Sequence, residues 1–197
     1  MSQHRPGKSD HIPEDIRAIR TGLCRDLAAL HLKSDSYREL FGSPEAAALL
    51  SDTAPAFFQI VAEALRNDIV QSICRLSDPS RALDPDNHSL ARLVAECDDV
   101  PHVEDLLTAF QAACGPVRRY RHRHLGHNDP GARITPREDL LPDVGRAEID
   151  EILRLAGGVL RVIHAHFSAG DPDLLPIAIG GVGDLIHRLK KGDATLF

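Results

Sequence analysis

Residues 53–76 read TAPAFFQIVAEALRNDIVQSICRL and carry the clearest fold signal in the chain. Apolar side chains recur in this segment at steps of three and four residues, which is the spacing of one helix face. They are Phe58, Val61, Leu65, Ile69, Ile73 and Leu76. Thr53 and Pro55 supply a capping residue and a proline that suits the first helical turn. The pattern predicts a helix that ends at about Leu76 and is the central, most buried helix of the fold.

The same periodicity and similar start signals recur along the rest of the chain. Ser43-Pro44-Glu45 starts one helix, and Pro116 is expected to split a longer helix near Gly115. Including these two, the predicted helices besides the central one cover residues 12–33, 46–50, 89–97, 101–125, 146–168 and 182–190. No run of useful length alternates with a period of two, and no internal repeat is visible. The sequence therefore predicts an all-α helical bundle, with a long loop at 126–145 and a helical tail at 171–197.

Length and composition are those of one globular domain, which we expect to span residues 1–197. The chain is 43% hydrophobic and 26% charged, which excludes a disordered chain, and only 4% aromatic, which favours helices over sheets. No stretch approaches the roughly 18 apolar residues of a membrane span, and residues 1–10 lack the apolar run of a secretory signal. Four cysteines without a Cys-x-x-Cys pair indicate buried thiols in a reducing compartment. We therefore expect a soluble, cytoplasmic protein without membrane contact.

Residues 118–129 read RRYRHRHLGHND and differ from the rest of the chain. Up to His127 this basic segment contains four arginines, three histidines and no acid, in a protein whose net charge is −6. Such a positive region attracts polyanions, while the remaining acidic surface discourages nonspecific contact. A basic helix end that complements the helix macrodipole accounts for one or two of the arginines, but not readily for all of these residues.

Three interpretations of the histidines remain open. The first is a metal site, since His122, His124, His127 and Asp129 are ligand types that zinc or manganese accepts. Positions 122 and 124 lie ~200° apart on a helix, however, and the adjacent arginines repel a dication. The second is metal-free acid–base chemistry on a phosphodiester, with Arg121 and His127 as the pair of groups. These two residues lie ~120° apart on an ideal helix. They converge only if that helix distorts or if a second subunit contributes one of them. The third is a passive anion-binding face.

Residues 121–129, RHRHLGHND, resemble the arginine, four-to-six residues, histidine motif of the HEPN superfamily (higher eukaryotes and prokaryotes nucleotide-binding domains). The ending at 125–129 is most similar to the branch of AbiU-type abortive-infection proteins. Members of that branch also carry a helix that ends in Arg-Leu-Thr/Ser-Asp-Pro, which residues 75–79, RLSDP, resemble. The order of central helix, Asp-Pro break, basic motif, loop and closing helix is similar as well, so the resemblance covers about residues 35–170.

The resemblance implies an all-α domain that forms a homodimer, brings the motifs of two subunits into one cleft and, in many members, cleaves RNA without a metal. It assigns Arg121 to the scissile phosphate and His127 to acid–base catalysis at the ribose 2′-hydroxyl. His122 stands where the family usually has a polar residue and is expected to share the catalytic role. Nucleic-acid contacts beside the scissile phosphate are assigned to Arg118, Arg119, Arg123 and His124. Supporting positions are Arg75, Asp78, Asn128 and Asp129.

The expected partners are RNA, a second copy of the chain, and an antitoxin or other protein; no metal and no cofactor is expected. The alternative is a HEPN module that has lost catalysis and binds nucleic acid, a nucleotide or a protein partner.

Two features of residues 146–168 have plain structural interpretations. Gly157-Gly158 indicates the close approach of a neighbouring helix, and His164 and His166 are expected to be surface or core-edge histidines.

Overall fold

The computed structural model of the chain describes residues 14–79, 88–97, 99–124, 145–167 and 182–193. Among these residues 88% are helical and none lies in a strand, which confirms the predicted all-α fold class. No helix within the described ranges is both long and apolar enough to cross a membrane. The loop predicted at 126–145 lies outside the described residues except for Gly145.

Eight helices occupy the described part of the chain. In chain order they are α1 (Glu14–Phe41), α2 (Pro44–Thr53), α3 (Pro55–Leu76), α4 (Leu90–Ala95), α5 (Val103–Ala113), α6 (Gly115–His124), α7 (Arg146–Phe167) and α8 (Val182–Asp193). Helices α2 and α4 begin where the sequence predicts, because each start has its own capping serine. The Oγ of Ser43 accepts the N–H of Ala46 at 3.1 Å, and the Oγ of Ser89 accepts the N–H of Arg92 at 3.2 Å.

The packing of the helices divides the chain into two compact units. The first unit contains α1 as far as Leu27, together with α4, α5 and α7. The second contains the rest of α1, all of α2, α3 as far as Cys74, α6 from Pro116 onward, and α8. The single domain over residues 1–197 stays a prediction.

The first unit is built around α5 and α7, which pack along each other, while α4 packs against α5. The large side chains of these helices that are completely buried are Leu90, Leu93, Phe110, Ile152, Val159 and Ile163. Burying one side chain of this size contributes roughly 1.5–3 kcal/mol. The amphipathic pattern of residues 146–168 therefore corresponds to a helix whose apolar face supplies much of this core.

The second unit contains a buried apolar cluster to which the C-terminal helix contributes. Its buried cluster consists of Leu40 from α1, Leu50 from α2 and Phe58 from α3. The apolar face of α8 packs against this cluster through Val182, Ile186 and Leu189. The amphipathic helix predicted at 182–190 is thus a packed element of this unit, which explains why its apolar residues recur at steps of three and four.

Helix α1 continues to Phe41, although the sequence predicts its end at Lys33. The serines and aspartate that follow Lys33 are weak helix formers, and they suggest a break. Tyr37 and Leu40 are nevertheless buried, and Asp35 forms an ion pair with Arg38 one turn later. Burial in the second unit therefore outweighs the low local propensity.

Helix α3 has most of its buried residues in its second half and only Phe58 in its first, which corrects the expectation that it is the most buried helix. Ile69 and Ile73 are buried, but in the first half the side chains of Phe57 and Ile60 are 59% and 66% exposed. The first half faces the small cluster of the second unit with one side only, the side of Phe58. Periodicity identifies the apolar side of a helix but not how many neighbours cover it.

The two adjacent glycines of α7 do not mark a close approach of a neighbouring helix, contrary to the prediction. A Cβ on Gly158 would lie 3.9 Å from Cδ2 of Leu106 in α5, which is an ordinary contact. A Cβ on Gly157 would lie 3.2 Å from Nη1 of Arg161, a side chain of the same helix. Gly157 therefore leaves room for a guanidinium rather than for another backbone.

Candidate nucleic-acid interface

Helix α6 carries the described part of the basic segment, and the Gly115-Pro116 dipeptide sets its start. Helix α5 ends at Ala113, and the N–H of Cys114 still donates to a carbonyl of that helix at 3.0 Å. Pro116 has no N–H to donate and is tolerated only in a first turn, so the predicted split near Gly115 is confirmed. Val117 is completely buried and anchors the first turn of α6.

Three basic residues of α6 form one exposed stripe. Arg119, His122 and Arg123 are exposed, whereas Arg118 and Arg121 are half-buried. Residues three and four positions apart share a helix face, so Arg119, His122 and Arg123 project from one side of α6. This exposed basic stripe combines two permanent charges with one imidazole, and all three groups are accessible to a large polyanion.

Arg121, the arginine assigned to the scissile phosphate, lies on the other side of α6. It is two positions from both Arg119 and Arg123, which is a rotation of about 200° on an α-helix. Arg118, three positions before Arg121, shares its side, and both side chains are half-buried. The structure therefore separates the four arginines into an exposed pair and a half-buried pair rather than presenting them on a single face.

Within the part of the chain that the structure describes, the two exposed arginines of α6 are not paired with acids. In the described ranges no carboxylate forms an ion pair with Arg119 or Arg123. Cations in the last turn of a helix are stabilised by its macrodipole, and α6 extends to His124, so this effect accounts for part of the basic pattern. An incoming phosphate meets guanidinium donors that need not first break an internal ion pair.

The second family motif, residues 75–79, closes α3. Arg75 is exposed in the last turn of the helix, and the N–H of Asp78 donates to the carbonyl of Arg75 at 3.3 Å. Ser77 keeps only 1% of its surface exposed, and Asp78 is half-buried. The motif therefore lies in the first unit, although most of α3 belongs to the second, and residues 118–124 also belong to the second unit.

Several residues of the predicted site lie outside the described residues. They are His127, Asn128 and Asp129, together with the side chain of His124. The pairing of Arg121 with His127 stays a prediction, and so does the metal interpretation, which needs His127 and Asp129. Within the described ranges no group of three or more His, Cys, Asp or Glu side chains is arranged to hold a metal ion. All four cysteines are free thiols, and three of them are buried.

The structure also brings together an arginine and a histidine that the sequence patterns do not pair. In the first unit, Nη1 of Arg20 in α1 lies 2.7 Å from Nδ1 of His164 in α7. His164 is half-buried, as expected for a core-edge histidine. The available sequence signal is that both residues lie in amphipathic helices. That signal says nothing about which helix faces which.

The basic segment and the 75–79 motif both fall within a match to one protein family. The family model HEPN_AbiU2, described as AbiU2, matches residues 13–182, a longer range than the 35–170 on which the resemblance rests. No curated protein and no solved structure gives a significant match. A match over most of the chain, joined to an all-α fold with a basic helix α6, assigns the protein to the AbiU2 family of HEPN-type abortive-infection domains.

Proposed function

We propose that this protein is a metal-independent endoribonuclease of the HEPN type, acting in the cytoplasm as part of a defence or toxin system. The observation that carries the proposal is the exposed basic stripe of Arg119, His122 and Arg123 on the helix that also holds Arg121. Membership of the AbiU2 family and the histidine six residues after Arg121 support it. RNA is the proposed substrate because a row of phosphates suits a row of cations and the ribose 2′-hydroxyl provides an internal nucleophile.

The proposed reaction is an internal phosphoryl transfer. His127 takes the proton of a ribose 2′-hydroxyl, the 2′ oxygen attacks the adjacent phosphorus, and the bond from phosphorus to the 5′ oxygen breaks. The departing 5′ oxygen receives a proton from a second group, for which His122 is the candidate in this chain. Arg121 donates to the non-bridging phosphate oxygens and stabilises the charge that develops on them. The products are a 2′,3′-cyclic phosphate and a 5′-hydroxyl end.

The proposed active form is a homodimer. Arg121 and His127 lie ~120° apart on a continuous helix, so a second subunit offers a way for one copy's arginine to meet the other's histidine. Arg118, Arg119, Arg123 and His124 then contact the phosphates on either side of the cleaved bond. A protein partner such as an antitoxin that covers this cleft would control the activity.

Incubation of the purified chain with RNAs of varied sequence and structure, in excess EDTA, tests the proposal. We expect the wild type to generate 2′,3′-cyclic phosphate ends and His127→Ala to lower the rate by about 100-fold or more, since general acid–base catalysis is worth that much. Arg154→Gln is the control: it removes an exposed cation of α7 that pairs with Glu151 and should leave the cleavage rate unchanged.

Three other outcomes would contradict the proposal in different ways. Equal cleavage by the wild type and His127→Ala would assign the activity to another residue or to a contaminant. RNA binding that weakens with salt, without new cyclic ends, would identify the non-catalytic alternative. Activity that EDTA abolishes and a divalent metal restores would favour the metal interpretation.

A further inference from the structure

Helix α3 carries an apolar face in its first half that is largely open to solvent. Phe57 and Ile60 are the two most exposed of the large apolar side chains in the described ranges. They lie one turn apart on the same side of the helix. The neighbouring Phe58 points to another side and packs into the apolar cluster of the second unit. The first half of α3 therefore has two apolar sides, and the described part of the chain covers one of them.

The exposed face has the spacing of a contact between two helices. Phe57, Ile60, Ala64 and Asn67 recur at steps of three, four and three residues, which is the spacing of the contact positions in a coiled coil. Phe57, Ile60 and Ala64 are all exposed, and Asn67 is half-buried. A helix at the surface normally has polar residues on its exposed side. We call Phe57, Ile60 and Ala64 the exposed apolar seam, and its spacing indicates that another helix packs on it.

The centre of the exposed apolar seam lies in an uncharged stretch of the chain. Residues 53–62, TAPAFFQIVA, contain no Asp, Glu, Lys, Arg or His. A two-fold axis brings each residue close to its own counterpart, so a charged residue at the axis would meet a like charge, at a cost in free energy. A strongly acidic or basic partner protein would be recognised by opposite charges, which residues 53–62 do not offer. The charge pattern therefore favours a second copy of the chain as the occupant.

The side chains of the seam are complementary in size to those of an antiparallel second copy. Ile60 lies three positions after Phe57 and four positions before Ala64. When two copies of α3 pack antiparallel with their Ile60 residues facing each other, Phe57 of each copy lies within about 1.5 Å, along the helix axis, of the level of Ala64 in the other. A large ring then faces a small methyl group on both sides of the central isoleucines. Facing large and small side chains allow two helices to interdigitate.

The exposed area suits the centre of a stable interface. Burying a phenylalanine removes about 150–250 Å² from water, so the 59% exposed fraction of Phe57 corresponds to roughly 100 Å², and that of Ile60 to a similar area. These two residues supply about a quarter of the roughly 800 Å² that each partner buries in a standard interface. Residues that dominate binding lie at the centre of an interface, and polar residues surround them. The exposed Gln59 and Glu63, on one edge of the seam, supply part of such a polar rim.

We infer that two copies of the chain pair antiparallel through the exposed apolar seam of Phe57, Ile60 and Ala64. The inference rests on the homodimer of the proposed function and names the surface through which that dimer forms. It also accounts for the pattern of residues 53–76, which is that of the most buried helix although one chain leaves the first half of α3 exposed. In the dimer both apolar sides of that half are covered.

Sedimentation and light scattering of the full chain at several concentrations, without RNA, test this pairing. We expect the wild type to dimerise, and Ile60→Glu, which places two like charges at the two-fold axis, to raise the Kd of the dimer by about 30-fold or more. Leu32→Glu is the matched control and should dimerise as the wild type does. Leu32 is 42% exposed and lies ~200° around α1 from the completely buried Leu30, so it points away from the core.

Two results of these measurements would overturn the inference. A wild type that stays monomeric would assign the seam to another segment of the chain or to a different protein. Equal dimerisation of Ile60→Glu and the wild type would place the interface elsewhere.

Cysteine cross-linking tests the antiparallel register. Ile60→Cys should form a disulfide-linked dimer on mild oxidation, because position 60 faces its own counterpart. Phe57→Cys and Ala64→Cys should each cross-link slowly alone and rapidly when mixed, since the mixed dimer brings the two thiols together and keeps its other Phe57–Ala64 contact. Thr108→Cys, at an exposed position of α5, controls for chance collisions, and the wild type controls for the four native thiols. Cross-linking of Ile60→Cys no faster than that of Thr108→Cys, or no gain on mixing, would overturn the pairing.

RNA cleavage by the same variants separates this inference from the ribonuclease proposal. A dimer that Ile60→Glu dissociates, in a protein that does not cleave RNA, would support the seam and contradict the ribonuclease. RNA cleavage by a dimer that Ile60→Glu leaves intact would overturn the seam and leave the ribonuclease in place.

Discussion

His102 precedes α5 with φ 63° and ψ 4°, and it is the single non-glycine residue with a positive φ in the described ranges. A side chain in this conformation costs about 1 kcal/mol because its Cβ crowds the following carbonyl oxygen. No side-chain cap from His102 to α5 offsets this cost. We expect His102→Gly to raise the free energy of unfolding by about 0.5–1 kcal/mol, measured by urea denaturation. His102→Ala retains the Cβ and should give no gain; equal stabilities of the glycine variant and the wild type would contradict the prediction.

Cys24 gives the fold a pH dependence on the alkaline side. Burial raises the pKa of the Cys24 thiol, and the charge of Arg20 opposes this with a smaller effect. The pKa of this thiol is higher in the folded state than in the unfolded state. The contribution of Cys24 to stability is therefore complete below the ordinary thiol pKa of about 8.5, and it is lost as the pH rises through the pKa of the folded state. Between about pH 7.5 and 10 the melting temperature of the wild type should therefore fall relative to that of Cys24→Ala. Parallel pH profiles of the two proteins would contradict this assignment.

Single residues were predictable where their effect is local. Ser43 and Ser89 start helices because a cap needs only the N–H groups that follow it, and the residue type alone indicates that role. The left-handed conformation of His102 has no such signal. Glycine at this position would have indicated it, whereas histidine adopts the conformation only when its surroundings require it.

Helix α6 supplies a prediction about charge, because its two exposed arginines form no ion pair within the described ranges that a phosphate would have to break. Binding to single-stranded RNA should weaken with salt, and Arg119→Gln and Arg123→Gln should each lower the slope of log K against log salt by about 0.7. Fluorescence anisotropy with labelled RNA at several salt concentrations measures this slope. Arg154→Gln makes the same charge change on α7 and should leave the slope unchanged. An equal reduction in all three variants would show that net charge alone acts, without a specific surface.

Helix starts and faces were easier to predict than helix ends and depth of burial. The apolar residues of α7 have the spacing of a helix and are buried in the first unit, as residues 146–168 predict. The end of α1 and the exposed first half of α3 were missed for one reason. Both depend on how many other helices cover a segment, as the buried Leu40 and the exposed Ile60 show, and that number is not encoded in the spacing of the segment itself.

Across the whole molecule, the types of residue in the candidate sites were predictable and their grouping was not. The basic character of residues 118–124 is visible in the sequence. Which arginines are exposed depends on the side of α6 that Val117 buries. The contact between Arg20 and His164 joins positions 144 apart and depends on how α1 and α7 pack within the first unit. Neither arrangement follows from local periodicity, because periodicity describes one helix at a time.

Arg121 of one copy is proposed to meet His127 of a second copy in the dimer. This arrangement predicts that two inactive variants, one at each position, restore activity when they are mixed. Arg121→Ala and His127→Ala should each be inactive as pure proteins. After subunit exchange, half of the dimers contain one copy of each variant, and one of the two Arg–His pairs in such a dimer is intact. The mixture should therefore recover about a quarter of the wild-type rate, with dimer mass and exchange checked by light scattering and by labelled subunits. A mixture that exchanges subunits but stays inactive would place both residues of the catalytic pair in a single copy.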